Sequence, residues 1–311
     1  MPNSHLLIEE NTALAPYTTL KIGGPSRFFI LVRDENQLLS ALSWAKRKGI
    51  SFLILGGGSN ILFSDQGFTG LVIKNEIQGI KITGNTVSAE SGVALSDLVA
   101  FSGSQGLGGL ENLAGIPGTV AGAIFGNAGA YGQTVSNSLK GVRLFDGEKI
   151  KFLTKKEALF SYRESLFKRQ CDLIILSGEW RLSKGNPIHL KEISSHIMEI
   201  RRKKYSPHLL CPGSFFKNIL VKDLPSKFVT KIPLSNITYG KVSAGYFLTE
   251  IGARGKFRGG IGVADYHGNL FFNRGDGTAA EFRSLVNECQ LLVREKFGIQ
   301  LEPEVQLVGK L

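Results

Sequence analysis

Residues 53–63 read LILGGGSNILF, an apolar run that ends in three consecutive glycines. Glycine permits positive φ angles, and its missing Cβ lets backbone N–H groups approach a neighbouring chain or a bound anion closely. The spacing matches neither GxxxxGK[ST] nor GxGxxG, so neither a P-loop nor a Rossmann dinucleotide site is indicated. Taken alone, the stretch is equally compatible with a phosphate-binding loop and with a tight turn.

The chain is rich in glycine and carries excess positive charge. Its 311 residues include 38 glycines, which cluster at 56–58, 103–132 and 252–262 between apolar segments. Such clusters indicate tight loops inside folded domains. The formal net charge of +11 favours anionic partners, such as phosphate-bearing small molecules, nucleic acid or an anionic membrane. The basic residues are scattered along the chain, and the densest run is RRKK at 201–204.

Cysteine usage and the N-terminus indicate a cytoplasmic protein. Cys171, Cys211 and Cys289 lie far apart, with no CxxC pair and no histidine at metal-ligand spacing. This pattern predicts neither a disulfide framework nor a metal site. The first residues, MPNSHLLIEENT, do not show a basic segment followed by an apolar one, so we expect no signal peptide. No apolar run approaches about 18 residues, so we expect no membrane insertion.

Hydrophobic periodicity predicts a mixed α and β chain. The first clear unit is β-α-β, with a strand at 26–33, a helix at 34–48 capped by Asp34, and a strand at 51–55 that enters the glycine stretch. Further strands are predicted at 71–74, 79–83, 86–90, 140–146, 150–153, 173–182 and 270–273. Further helices are predicted at 94–105, 155–160, 187–204 and 277–297.

Four other stretches have unusual composition, but none identifies a function by itself. The segment 115–132 contains GIPGTVAGA and GNAGAYG, which fit either a tightly packed small-residue helix or close ligand approach. Ser214 lies in CPGSFFKN, which is not the GxSxG pattern of a hydrolase. Arg163 in SYRES and Glu304 in LEPEV would ordinarily be surface residues.

Taken together, these motifs resemble those of the UDP-N-acetylenolpyruvoylglucosamine reductases, the MurB flavoenzymes. They appear in the family's order and span nearly the whole chain. The matching segments are NT…PYTTLKIGGP (11–25), LGGGSNILFSDQGF (55–68), GLENLAGIPGTVAGA…GNAGAYG (109–132), YRES (162–165), GSFFKN (213–218) and LEPEV…G (301–309).

The resemblance implies an α+β fold, in which a two-part FAD-binding domain of the vanillyl-alcohol-oxidase (PCMH) type precedes a C-terminal α+β substrate domain. The expected parts are residues 1–80, joined by the tail 299–311, then 81–190, then 191–298. The implied cofactor is non-covalent FAD, with NADPH as co-substrate and a UDP-sugar as substrate. We expect a monomer that binds no nucleic acid, since FAD, NADPH and a UDP-sugar are polyanions that account for a basic protein.

The implied reaction reduces UDP-N-acetylenolpyruvoylglucosamine to UDP-N-acetylmuramate, a step of peptidoglycan precursor synthesis. Hydride passes from flavin N5 to the enolpyruvyl methylene carbon, and Ser214 supplies the proton. Arg163 and Glu304 flank the substrate carboxylate, while Lys204 and Asn218 are candidates for the UDP phosphates and nearby groups. The residues assigned to FAD are Gly56, Gly57, Gly58, Ser59, Asn60, Pro117, Gly118, Thr119, Gly122, Asn127, Ala128 and Gly129.

Two departures from the family pattern and two rival interpretations accompany this prediction. Ala121 stands where the family usually has glycine, and Ile219 stands where proline is common. The chain also resembles the shorter branch, which lacks the substrate-domain loop with a covering tyrosine. A sugar or alcohol oxidase of the same superfamily would share the glycine loops without needing Ser214, Arg163 and Glu304. A nucleic-acid-binding protein would explain the charge, but it would show clustered basic residues interleaved with aromatic ones.

Overall fold

The structure is a computed structural model that describes residues 6–206, 208–229 and 232–310. The strands are β1 Glu9–Ala13, β2 Pro25–Val32, β3 Phe52–Leu55, β4 Ile61–Phe63, β5 Phe68–Asn75, β6 Ile80–Thr83, β7 Thr86–Glu90, β8 Leu107–Gly108, β9 Gly129–Ala130, β10 Gln133–Thr134, β11 Leu139–Phe145, β12 Ile150–Thr154, β13 Ile174–Arg181, β14 Ser183–Lys184, β15 Ile219–Leu220, β16 Ile237–Thr238, β17 Lys241–Val242, β18 Phe257–Arg258, β19 Ile261–Val263, β20 Phe271–Asn273 and β21 Gln306–Val308. The α-helices are α1 Glu35–Lys48, α2 Leu95–Ser104, α3 Val120–Phe125, α4 Leu166–Arg169, α5 Pro187–Lys204, α6 Ser226–Val229, α7 Ala244–Glu250 and α8 Ala279–Phe297.

Two larger sheets and several small ones organise these strands. The first sheet has the order β1-β2-β5-β3, and β3 runs parallel to β5 with Phe52 opposite Leu71. The second has the order β12-β11-β13-β7-β6, and every pair in it is antiparallel. Smaller sheets have the orders β15-β17-β16 and β18-β19-β20, while β21 pairs in parallel with β4.

The predicted β-α-β unit is confirmed at its helix. Asp34 lies in an extended conformation before α1, and its carboxylate accepts a hydrogen bond of 2.8 Å from the Gln37 N–H. Gly49 ends the helix at a φ of 64°, a left-handed conformation that glycine adopts without steric cost. The apolar face, with Leu38, Ala41, Leu42 and Ala45, is buried. The strand that follows α1 leads directly into the glycine loop.

The chain divides into two compact units. Unit 1 consists of the N-terminal residues up to Glu10, Phe28–Gly57 and Gly70–Lys204. It contains two clusters of buried apolar side chains, one around α1 and the β3–β5 pair and one between the five-stranded sheet and α2, α3 and α5. Trp180 is fully buried in the second cluster, and its indole N–H donates to the Val135 carbonyl over 2.9 Å.

Unit 2 consists of Asn11–Arg27, Gly58–Thr69 and the chain from Tyr205 onward. Its core is aromatic, since Phe215 packs against Phe216, Phe271 and Phe282 with ring centroids 4.9, 5.5 and 5.3 Å away. Asp65 caps α8, because its two carboxylate oxygens accept hydrogen bonds of 2.8 and 3.0 Å from the N–H groups of Ala279 and Ala280. A segment just after the glycine loop therefore holds the N-terminus of the longest helix.

The predicted helix at 155–160 is wrong. That segment is a turn, in which the Glu157 carboxylate accepts hydrogen bonds of 2.8 and 2.7 Å from the backbone N–H and the hydroxyl of Thr154. Leu159 has a φ of 49°, which stops any helical continuation. The nearby helix is α4, which begins after Ser165, whose hydroxyl accepts a hydrogen bond from the Lys168 N–H. The Thr154 hydroxyl in turn accepts a hydrogen bond of 3.4 Å from the Glu157 N–H, so the two residues form a helix capping box, but the turn ends at Leu159.

Several expectations drawn from the sequence stay predictions. The three-part division near residues 80 and 190 is one of them, and the oligomeric state is another. The expectation about a signal peptide rests partly on residues 1–5, which lie outside the described residues. Among the residues that the structure does describe, no helix is long and apolar enough to cross a lipid bilayer.

Replacing Phe282 tests whether α8 anchors the aromatic core of unit 2. The ring is fully buried between Phe215 and Phe271, so Phe282→Ala should lower the free energy of unfolding by about 3–5 kcal/mol. Leu291→Ala on the same helix is the control, because Leu291 is 54% exposed and should change stability by less than about 0.5 kcal/mol. Urea unfolding of both variants measures the difference. Equal destabilisation would show that the ring does not support the core.

Candidate functional site: two glycine turns, a serine and a carboxylate

The glycine loop begins where β3 ends, and its first two glycines face the turn at 118–119. A Cβ on Gly56 would lie 2.4 Å from the Thr119 Oγ1, and a Cβ on Gly57 would lie 2.8 Å from the Gly118 Cα. Side chains at these positions would collide with the second glycine-rich stretch. The two stretches are therefore neighbours in unit 1, and side chains at Gly56 and Gly57 are excluded because the turn at 118–119 lies so close.

The third glycine serves a different contact, within unit 2. Gly58 has a φ of 64°, and a Cβ there would lie 2.0 Å from the Tyr17 carbonyl oxygen. Its own carbonyl accepts a hydrogen bond of 3.0 Å from the Thr19 N–H. The loop is thus a tight turn, which was one of the two interpretations that the sequence allowed. The other interpretation, a phosphate-binding loop, depends on which backbone N–H groups of the loop remain available to a bound anion.

Three backbone donors in this part of unit 1 are available to an anion. Within the described part of the chain, the N–H groups of Gly57, Gly118 and Thr119 meet no acceptor. Consecutive N–H groups at glycine turns form concave anion sites, so this arrangement suits the pyrophosphate of a dinucleotide. The Thr119 hydroxyl is turned to α3, where it accepts a hydrogen bond of 3.4 Å from the Gly122 N–H.

Asn127 supplies an acceptor that has no hydrogen-bond partner among the described residues. The residue is only 4% exposed and has a φ of 42°, and its side-chain amide donates to the Ser161 carbonyl over 2.7 Å. Its Oδ1 atom is buried and accepts no hydrogen bond from any described residue. Leaving a buried acceptor unsatisfied costs about 1–3 kcal/mol. A bound group that donates a hydrogen bond at Asn127 would remove this cost, so the residue fits a cofactor site.

The remaining residues assigned to FAD lie on different elements and differ in exposure. Pro117 and Gly122 are exposed, while Ser59 is half-buried. Gly129 opens the β9–β10 hairpin, where a Cβ would lie 2.5 Å from the Gln133 carbonyl oxygen, so the hairpin alone explains this glycine. Ala128 and the family departure Ala121 pack against the apolar core of unit 1. The extra methyl group of Ala121 therefore has a place in the packing.

Arg163 is held beside the predicted cofactor residues of unit 1. Its guanidinium donates a hydrogen bond of 2.9 Å to the Gly129 carbonyl and approaches the Asn127 carbonyl at 3.5 Å. It lies 5.7 Å from the centroid of the Tyr162 ring. Its φ is 56°, and non-glycine residues in this conformation are uncommon and concentrate at functional sites. The hydrogen bond to Gly129 therefore sets the direction of the Arg163 guanidinium, while the Arg163 backbone adopts a strained conformation.

Ser214 lies in unit 2 with its backbone fixed and its hydroxyl bonded to a tyrosine. The Ser214 Oγ is 3.0 Å from the Tyr205 hydroxyl oxygen. The next two residues are clamped by the buried Asn269, which accepts from the Phe215 N–H through its backbone carbonyl and from the Phe216 N–H through its side chain. Sequence reasoning missed Tyr205, because it follows a basic helix end and no motif marks it.

Glu304 is brought to the segment after Ser214 by a short antiparallel ladder. Its N–H donates to the Phe215 carbonyl over 2.8 Å, and the Lys217 N–H donates to the Glu302 carbonyl over 2.9 Å. The side chain of Lys217, only 8% exposed, also forms an ion pair of 2.5 Å with Glu302. This pairing sets residues that are almost 90 positions apart in sequence on neighbouring segments of the backbone.

Asn60 also holds the tail that carries Glu304. Its side-chain amide donates to the Glu304 carbonyl over 3.1 Å, and its own carbonyl accepts a hydrogen bond of 3.0 Å from the Gln306 N–H. The sequence assigned Asn60 to FAD, but here its side chain is engaged in anchoring the C-terminal strand. The end of the glycine loop and the catalytic candidate Glu304 are consequently parts of one hydrogen-bonded structure in unit 2.

The two residues assigned to the substrate belong to different units. Lys204 is the last residue of α5 in unit 1, and Arg201 in the same basic run donates to the Gly115 carbonyl over 2.9 Å. Asn218 lies in unit 2, and its Oδ1 accepts a hydrogen bond of 3.3 Å from the Ala244 N–H. The other family departure, Ile219, begins β15 and is half-buried against the core of unit 2.

Comparisons with known proteins find matches over both parts of the chain. Residues 26–149 match a family described as an FAD binding domain, and residues 207–308 match the C-terminal domain of UDP-N-acetylenolpyruvoylglucosamine reductase. The reductase of Solibacter usitatus is 42% identical over 99% of this chain and 98% of its own length. That of Carboxydothermus hydrogenoformans is 36% identical over 97% of this chain and 94% of its own length.

Solved structures lead to the same family. The crystal structure of the UDP-N-acetylenolpyruvylglucosamine reductase from Thermus caldophilus superposes with a TM-score of 0.77 at 26% identity, covering 98% of this chain and 99% of that one. The expected α+β fold, a PCMH-type FAD-binding domain followed by a C-terminal α+β domain, is confirmed. Because relatives above 30% identity cover nearly the full chain, the chain belongs to the UDP-N-acetylenolpyruvoylglucosamine reductase family of FAD-dependent oxidoreductases.

Proposed function

We propose that this chain reduces UDP-N-acetylenolpyruvoylglucosamine to UDP-N-acetylmuramate, with NADPH as the electron donor. The observation that carries the proposal is the ladder between residues 215–217 and 302–304, which sets Glu304 beside the segment of Ser214. This pairing lies inside the C-terminal domain match at 207–308, which favours the reductase over a sugar oxidase. We place the activity in the cytoplasm as part of peptidoglycan precursor synthesis.

FAD, when bound, supplies the chemistry of accepting hydride from NADPH and delivering it to the alkene of the substrate. The residues that would hold it are the N–H groups of Gly57, Gly118 and Thr119 at the pyrophosphate, and the buried Oδ1 of Asn127 at a hydrogen-bond donor. The glycines keep side chains away from this surface, which lets the backbone dipoles contact the anion directly. The other residues assigned to FAD are Gly56, Gly58, Ser59, Asn60, Pro117, Gly122, Ala128 and Gly129.

Ser214 is the proposed proton donor. Its hydroxyl delivers a proton to the substrate carbon that carries the ether oxygen and the carboxylate. An aliphatic alcohol is a weak acid, but an enolate carbon is a strong base, so the transfer is downhill without a histidine partner. The fixed backbone around Ser214 supports this role, because proton transfer depends on positioning within hydrogen-bond reach.

Arg163 and Glu304 are assigned to the substrate carboxylate. The guanidinium of Arg163 is a planar fork that can bind a carboxylate through two charge-assisted hydrogen bonds. Its hydrogen bond to the Gly129 carbonyl pre-sets its direction before substrate arrives. A preorganised donor at a developing oxyanion stabilises a transition state by about 2.7–4 kcal/mol. Lys204 and Asn218 are assigned to the UDP phosphates and nearby groups.

The visible spectrum of the purified protein tests both half-reactions. Flavin absorbance should bleach when NADPH is added anaerobically and should recover when UDP-N-acetylenolpyruvoylglucosamine is added. Bleaching without recovery would support the assignment of FAD and overturn the assigned substrate. Bleaching by an alcohol or a sugar in place of NADPH would favour the oxidase. Protein that neither contains flavin nor takes up added FAD would overturn the cofactor assignment.

Ser214→Ala should separate the two half-reactions. The variant should bleach with NADPH at the wild-type rate, because no proton from Ser214 is needed there. Reoxidation by the substrate should slow by more than about 10²-fold, the contribution typical of a positioned proton donor. Ser206→Ala is the matched control, since Ser206 is exposed in the same segment. Stopped-flow absorbance gives both rates, and reoxidation at the wild-type rate would remove Ser214 from the mechanism.

Gly57→Ala should weaken flavin binding. The added methyl group would lie 2.8 Å from the Gly118 Cα, so the two turns must move apart. Their N–H groups would then no longer point to the same anion site. We expect loss of flavin on gel filtration and a fall of about 1–3 kcal/mol in the free energy of unfolding. Gly103→Ala is the control, because its Cβ would make an ordinary contact at 3.8 Å inside α2. Full retention of flavin by Gly57→Ala would contradict the assignment.

A further inference from the structure

We propose that Tyr205 is a positioning residue that orients the Ser214 hydroxyl for proton donation and returns a proton to it. The inference rests on the proposed function, in which Ser214 protonates the substrate carbon. Its basis is the distance of 3.0 Å between the Tyr205 hydroxyl oxygen and the Ser214 Oγ. No motif in the sequence assigned any role to Tyr205.

The number of hydrogens on a serine hydroxyl decides the direction of this hydrogen bond during the reaction. A hydroxyl carries one hydrogen and can accept through its oxygen. Once the single hydrogen of Ser214 points at the substrate carbon, its contact with Tyr205 persists only if Tyr205 is the donor. The tyrosine therefore selects the Ser214 rotamer in which the hydrogen points away from the phenol.

Among the described residues, Tyr205 is the side chain placed to orient the Ser214 hydroxyl. Asn269 fixes the backbone of residues 215 and 216, but it does not reach the Ser214 side chain. Among the described residues, the Tyr205 hydroxyl is the hydrogen-bond partner of the Ser214 Oγ, and no other is found. The nearby Cys211 is half-buried, and burial raises the pKa of its thiol, so it stays protonated at neutral pH and offers no competing thiolate.

The proton balance of the step closes with water as the final donor. The Ser214 O–H bond breaks as the substrate C–H bond forms. The Tyr205 O–H bond breaks as the Ser214 O–H bond re-forms, which leaves a phenolate. A phenol is a far stronger acid than an aliphatic alcohol, so the charge resides on Tyr205 rather than on a serine alkoxide. The phenolate then takes a proton from water, and both side chains return to their starting state.

Tyr205→Phe tests the relay, because it removes one oxygen atom and keeps the ring. The flavin is reduced with dithionite, mixed with UDP-N-acetylenolpyruvoylglucosamine, and followed by its absorbance. We expect reoxidation to slow by on the order of 10²-fold. Reduction of the oxidised flavin by NADPH, and the spectral change when substrate binds the oxidised protein, should stay at wild-type values. These two readouts report the fold and the binding site independently of proton transfer.

Tyr266→Phe is the matched control. Tyr266 belongs to the same unit, is 51% exposed and carries the same phenol group. It makes no hydrogen bond to Ser214 among the described residues, so its removal should leave reoxidation unchanged. Slowing by Tyr266→Phe as large as that by Tyr205→Phe would overturn the specific role of Tyr205.

The double variant separates the inference from the function on which it rests. If Tyr205 acts through Ser214, adding Tyr205→Phe to Ser214→Ala should slow reoxidation no further. Slow reoxidation in Ser214→Ala together with a wild-type rate in Tyr205→Phe overturns the relay alone. Fully additive effects overturn it too, since Tyr205 would then act independently of the serine. A wild-type rate in Ser214→Ala overturns the proposed proton donor itself.

Discussion

The close approach of two glycine turns is the constraint on which the cofactor half of this chain depends. Gly57 and Gly118 come so near that a single Cβ on Gly57 would lie 2.8 Å from the other backbone. This contact holds the end of β3 against the start of α3, and among the described residues the N–H groups of Gly57, Gly118 and Thr119 meet no acceptor. The tight turn is therefore compatible with the proposed phosphate site, because both need glycine backbone without side chains.

The second unit relies on a hydrogen-bonded tail. Asn60 anchors residues 304–306, and the tail in turn pairs with residues 215–217. Phe215 belongs to that segment, and its ring packs in the aromatic core against Phe271 and Phe282. Ser214 and Glu304 are thus set by backbone ladders and buried rings rather than by contacts between their own side chains. Such preorganisation is what electrostatic and proton-transfer catalysis require.

Sequence reasoning located most of the longer elements, because their apolar faces are periodic. The bounds of α1 follow from Asp34 and Gly49, and α5 spans the predicted 187–204. The helix expected at 155–160 failed because Leu159 adopts a φ of 49°, which ends after one turn the segment that Thr154 and Glu157 begin. The motif residues were found in advance by resemblance to the family, whereas Tyr205 was not, since only proximity in space joins it to Ser214.

At the level of sequence, the identity and order of the motifs indicated the family and its fold class by resemblance, while caps and apolar periodicity located the longer helices and strands. Folding alone brings distant residues into contact. Asn60 and Glu304 are 244 positions apart, and only folding shows that one holds the backbone of the other. The reason is physical: a hydrogen bond depends on distance and direction in space, and neither can be read from spacing along the chain.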